Sequence, residues 1–391
     1  MKIHNVILPS VVAFIAIQPF TSAIAADDEK APGIYPGIGA SFASDNNIYR
    51  AETGVVSDSY ILVNPGVQYI ADIGKHSMDL NYAGSYSYYQ SKQDENYLDH
   101  AANANFKLDL SPKMDVGLMF GYLGSHEARS TAGTDLVTSP TPNQFTDTNY
   151  RADILYGRRT NKAQFGLSYE GVQRKFTNNS QEERDRNIGT TKGTFYYNYS
   201  AKTSFLLETA MSDIDYTNPT APVNLDSTET RVFVGARWDA TAKVTGEIKV
   251  GSVSKNLTDA GLTDFDGTGY EAIITWKPKS YNALLLTASK STKESVVASE
   301  SYYVSDLFDL AYRHAFSEKI ELSANITPAV DKYSSGTRTD NLLGMGVGVV
   351  YKWNRRLDIT GSYISSSRDS NVVGADYKDS IIMLTVSTAA K

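Results

Sequence analysis

The chain has 391 residues, 37 Lys and Arg against 44 Asp and Glu, no Cys, and 26 Tyr beside 14 Phe and 3 Trp. That composition excludes a disulfide scaffold, a cysteine-ligated metal site and a basic nucleic-acid binder. The excess of tyrosine asks for rings that are apolar at one end and hydrated at the other.

In chain order, Lys2 and His4 precede an apolar run from Val6 to Ile17, and Ala23-Ile24-Ala25 supplies small residues two apart before Ala26-Asp27-Asp28-Glu29. This predicts a secretory signal peptide over residues 1–25, followed by a short periplasmic leader over 26–34. The run is shorter than the ~18 apolar residues that a spanning helix needs. No later stretch is long enough either, so the remaining chain, 35–391, is expected to be soluble outside the inner membrane or inserted as a barrel.

Period decides between those two. Met114, Val116, Leu118, Phe120 and Tyr122 alternate with Asp115, Gly117 and Gly121. Tyr150, Ala152, Ile154 and Tyr156 alternate with Arg151 and Asp153, and Val232, Val234, Ala236 and Trp238 with Arg231, Gly235 and Arg237. The pattern returns at Val244 to Val250 and Leu357 to Tyr363. These segments approach the ~10 residues of a membrane-crossing strand, longer than the ~5 or 6 common in soluble sheets.

Eight short, Lys-bearing turns punctuate the strands, with lysines at 75, 113, 162, 202, 243, 279, 319 and 352. Between them lie longer polar connections, the longest from Ser125 to Thr146, which is either a surface loop or one folded inward. Two strands per turn plus one at each end give roughly 18, an even number that leaves both termini on the periplasmic side. The expected fold is therefore all-β, a transmembrane antiparallel up-and-down barrel with short periplasmic turns and longer extracellular loops. A propeller would share the 40-residue period, but each period here holds two long strands and no blade signature.

Taking the polar parity of each strand, the expected inward, pore-lining set is Asp109, Asp115, Arg151, Asp153, Glu170, Arg231, Arg237, Glu247, Lys249, Glu271, Asp309, Arg313, Glu321 and Asp358, with Asp79 and Lys107 beside them. Both signs are interspersed, which suits salt bridges bracing the wall and a hydrated pore tuned by charge alike. Tyr82, Tyr86, Tyr88, Tyr122, Tyr156 and Tyr351 fit aromatic girdles at the membrane interfaces. Gly344, Gly346 and Gly348 alternate on one strand and are expected to thin its inward face. His4, His76, His100, His126 and His314 are scattered, with no ligand or triad spacing, so no catalytic residue, metal site or cofactor is expected.

The opening Asp45-Asn46-Asn47-Ile48-Tyr49-Arg50, then Ser57-Asp58 and Val63-Asn64-Pro65-Gly66-Val67, resembles the start of the β-barrel porins that accompany capsule and exopolysaccharide biosynthesis systems in Gram-negative bacteria. Ser367-Arg368-Asp369-Ser370-Asn371 and Asp376-Tyr377 are similar to that family's ending, although the chain closes on Ser387-Thr388-Ala389-Ala390-Lys391 without the aromatic residue usual there. The resemblance implies a non-enzymatic outer-membrane channel serving polysaccharide export in biofilm or capsule formation. It also implies contact with outer-membrane lipid, lipopolysaccharide, the barrel-assembly machinery, the polymer and periplasmic export components, and none with nucleic acid. The alternatives are a general diffusion porin for small solutes and a barrel-type hydrolase.

Overall fold

The structure is a computed structural model that describes residues 30–388 apart from 131–138, 219–223, 242 and 298–299. The expected signal peptide lies outside the described residues. From Gly33 onward the chain forms 18 antiparallel strands of 12 to 16 residues, β1 (Gly33–Asp45) to β18 (Tyr377–Thr388), each bonded to its sequence neighbours. Closure comes from β1 pairing with β18, from Gly39 opposite Ser387 to Asp45 opposite Ile381. Along the paired span this closure leaves no free edge, so backbone groups there find partners within the sheet, which is what a lipid surround demands.

The alternation seen in the sequence sorts the faces. On β10 (Ser227–Thr241) Val234 is 56% exposed whereas Phe233 is 2% exposed. Phe42 on β1 and Leu384 on β18 sit opposite each other with more than half their surface open. In water such an exterior would be a liability; in a bilayer it is the lipid-facing belt. All six girdle tyrosines project outward, although Tyr82 stands midway along β3 (His76–Tyr89) rather than at its end.

Two glycines show how tightly side chains cover this wall. On β7 (Ala163–Phe176), a Cβ on Gly171 would lie 2.2 Å from the outward ring of Tyr150. On β11 (Val244–Leu257), a Cβ on Gly251 would lie 1.8 Å from the Val232 carbonyl, beside Phe233. Each ring lies over a glycine on the neighbouring strand, a pairing only a missing Cβ permits.

The eight short turns lie at one end with both chain ends, and the nine longer connections at the other. By the usual asymmetry of such barrels the short-turn end is periplasmic. The opening strand stops at Asp45, within the Asp45–Arg50 segment. Asp45 accepts the Asn47 backbone N–H at 2.7 Å, Asn47 ties both polar groups of Ala51, and Arg50 adopts φ +50°. These side-chain bonds to the backbone end the strand.

Candidate functional site: the lumen and its narrowing

All fourteen expected pore residues lie on the inward parity. Ten of them line one central cavity of about 2900 Å³, as do Asp79 and Lys107. The other four, Asp109, Arg313, Glu321 and Asp358, occupy the same parity at the short-turn end of their strands. The cavity lining runs from Pro112 and Lys113 at the short-turn end to Glu95 and Arg129 beneath the long loops. It therefore extends through the barrel.

Within the lumen the charges divide into braced and free groups. Lys249 on β11 donates to Glu208 at 2.9 Å and lies 2.6 Å from Glu271 and 3.9 Å from Glu247. Arg231 stands 3.5 Å from Glu229 and 3.6 Å from Glu271, and Arg151 stands 3.3 Å from Asp153. Arg313 and Glu321 meet at 2.6 Å near the short-turn end. Removing one partner from such a pair leaves a poorly solvated charge, so these groups brace the wall. Asp115, Glu170 and Arg237 have no ion-pair partner among the described residues; Arg237 instead lies 4.2 Å from the face of Tyr196. Free charges of this kind set the field that a solute meets.

Glu208 on β9 (Thr203–Tyr216) and Lys192 on β8 (Arg186–Asn198) join this network 3.9 Å apart, and neither belongs to the expected set. On β9 the inward Leu206, Ala210 and Ile214 are as apolar as the outward Phe205, Leu207 and Met211. A strand apolar on both faces carries no parity signal, and Glu208 was hidden for that reason.

The connection from β5 (Met114–His126) to β6 (Gln144–Tyr156) reaches into the lumen through its described residues. Its described residues turn into the barrel: Glu127, Ala128, Arg129 and Pro142 all line the cavity. Arg129 makes a two-pronged bond to Glu95 at 2.9 and 2.6 Å and donates to the Ser139 carbonyl at 3.0 Å. Arg368, on β17 (Leu357–Ser370), donates to the Ser130 carbonyl at 3.0 Å and to its hydroxyl at 2.6 Å. Since β17 is six strands from β5 around the wall, this contact spans part of the interior. The described part of the connection is folded inward.

Its base is held by arginines stacked on rings. Arg174 grips Asp147 with bonds of 2.8 and 2.6 Å while lying 4.3 Å from the Phe145 ring centre. Arg184 binds both oxygens of Glu127 and lies 4.2 Å from the Phe176 ring. Burial alone would raise the Glu127 carboxyl. The bonds and charge of Arg184, with Asn143 at 3.0 Å, hold it below the usual carboxylate range.

Elsewhere the inner wall is apolar: Ala43, Tyr60, Leu62, Ile364, Ile381 and Met383 pack together near the β1–β18 seam, with Tyr89 and Tyr97 against them. Gly344, Gly346 and Gly348 face inward opposite Ser366, Ile364 and Ser362, so this sector of the wall carries little side-chain bulk. His126 stands 3.0 Å from Asp99 and stacks on Tyr97 at 3.8 Å; no cluster suited to a metal ion occurs among the described residues.

A closed 18-strand barrel, apolar outside and threaded by a charged cavity, defines the class: an outer-membrane porin. The chain belongs to the family whose model is described as "Putative beta-barrel porin 2", which matches residues 33–390. The search of curated proteins gives no match. Among solved structures, Pseudomonas aeruginosa OccK2 (OpdF) is similar at 8% identity, covering 92% of this chain and 98% of that one with a TM-score of 0.50. Pseudomonas aeruginosa OpdQ (10% identity, 91% and 99% coverage, TM-score 0.49) and a BenF-like porin from Pseudomonas fluorescens Pf-5 (8%, 91% and 99%, 0.47) are further examples. At such identities the likeness is one of fold.

Proposed function

We propose that the protein is a passive diffusion porin for small polar solutes. The observation that carries this reading is the cavity lined from one end of the barrel to the other by interspersed Asp, Glu, Arg and Lys. Such walls replace a solute's water hydrogen bonds, while the scatter of signs keeps each contact weak enough for release. The inward connection favours small solutes over a polymer, because the Ser130–Arg368 contact takes up cross-section at the long-loop end. The export role implied by the resemblance to polysaccharide-associated porins finds no comparable feature in the lumen, and the small-solute alternative stands ahead of it. The chain would reach the outer membrane through the periplasm after loss of residues 1–25.

A deletion strain distinguishes the two roles. Slower uptake of small polar nutrients or antibiotics, with surface polysaccharide and biofilm unchanged, is the expected result. Loss of polysaccharide with normal uptake would return the protein to the export role.

A further inference from the structure

Arginine 186 occupies an unusual position on the inner wall. At the start of β8, it stands directly opposite Arg174 on β7 in the strand register, with Arg184 two residues before it. Like charges facing across a strand pair repel, and a guanidinium cannot escape by losing its proton. Arg174 and Arg184 are neutralised by Asp147 and Glu127. Arg186 has no carboxylate within ion-pair distance among the described residues, although it is only 8% exposed. Its one hydrogen bond runs to the Arg184 carbonyl at 3.1 Å, and its Nε has no acceptor.

The acids nearby are already engaged. Glu294 accepts from Lys255 at 2.6 Å and from the Tyr216 hydroxyl at 2.9 Å. Asp185 accepts the Phe176 N–H at 2.6 Å. A buried cation left this way is costly unless something neutralises it. Arg186 lines the central cavity, so a counter-charge can reach it from the lumen. Lys293 lines the same cavity, without an ion-pair or hydrogen-bond partner among the described residues although the charge of Asp331 acts on it. Arg186 lies 5.8 Å from the ring of Tyr216, whose hydroxyl bonds Glu294, the residue after Lys293.

We propose that Arg186, assisted by Lys293, forms a binding station for an oxyanion, the carboxylate or phosphate group of a small solute passing through the lumen. The inference rests on the porin reading for its role in permeation but not for binding itself. Arginine suits this task because its fixed fork matches two oxygens of such a group at once. The position, beneath the inward connection, places the station where the passage is narrowed.

The test uses the full-length barrel in two assays. In a planar bilayer held in KCl, inorganic phosphate and acetate are added separately and the interruption of current is recorded; in detergent, the same two anions are titrated calorimetrically. The proposal expects at least one anion to bind and to interrupt current. Arg186→Gln should weaken this about tenfold or more, Lys293→Gln less, and Arg186→Lys should fall between wild type and Arg186→Gln. Response to acetate assigns carboxylates, and response to phosphate alone assigns phosphoryl groups. Heat-modifiable migration confirms that each variant is folded, and the lysine variant keeps the charge should the glutamine variant fail. Conductance with no binding of either anion, or binding unchanged in a folded Arg186 variant, overturns the station while leaving the porin intact. Arg186-dependent binding to a barrel that does not conduct leaves the station and removes the porin reading.

Discussion

The sorting of faces predicts very different costs for one side chain placed on two sides of the same wall. Ile248 projects outward on β11, 42% exposed, four residues beyond Val244. At about 3.4 Å per residue and a strand tilt near 40°, it lies roughly 10 Å above the lower edge of a ~25 Å belt, close to the bilayer midplane. An arginine there costs ~2–4 kcal/mol, roughly a thirty- to several-hundred-fold loss in the folded population. Ser289, on β13 (Asn282–Glu294), lines the cavity directly opposite Glu271, so an arginine there enters a hydrated space beside a carboxylate. Refolding into liposomes with urea titration, read by the migration difference between folded and boiled protein, should show Ile248→Arg strongly impaired and Ser289→Arg close to wild type. Equal stabilities for the two would refute the assignment of faces.

Three further outcomes follow from the same geometry. Arg129→Gln should leave Glu95, 5% exposed, without its two-pronged partner; the inward connection should loosen, and single-channel recordings should show larger, noisier conductance. Because the Glu127 carboxyl lies below its ordinary value of 4.5 in the folded state, the Arg184 anchor contributes fully above that pH and is lost as pH falls through the depressed value. Current noise should therefore rise in strong acid, and Glu127→Gln should show that noise already at pH 6; a silent variant would contradict the anchor. With no native cysteine, Lys319→Cys in a short turn should resist an impermeant maleimide on intact cells, while Val373→Cys, 99% exposed at the opposite end, should label; the reverse pattern would invert the orientation.

Much of this architecture was legible in the sequence because a barrel wall obeys a period of two and its turns repeat. Where one face is polar, as on β6 with Arg151 and Asp153 against Tyr150 and Ile154, parity places each side chain. On β18, Ile381 and Met383 face inward while Ile382 and Leu384 face lipid, and no contrast remains to read. The narrowing was illegible for a different reason. Ser130 and Arg368 are 238 positions apart, and nothing local in either segment announces their meeting. Arg174 and Arg186 likewise become a like-charged pair only once β7 and β8 are in register.

Solute flux through purified protein tests the porin reading most directly. Liposomes carrying the barrel, placed in isotonic solutions of sugars and amino acids of increasing size, should swell quickly with the smallest solutes and progressively more slowly with larger ones, and Arg129→Gln should raise the size limit. Liposomes that hold a folded, heat-modifiable barrel yet swell no faster than empty ones would contradict a passive pore.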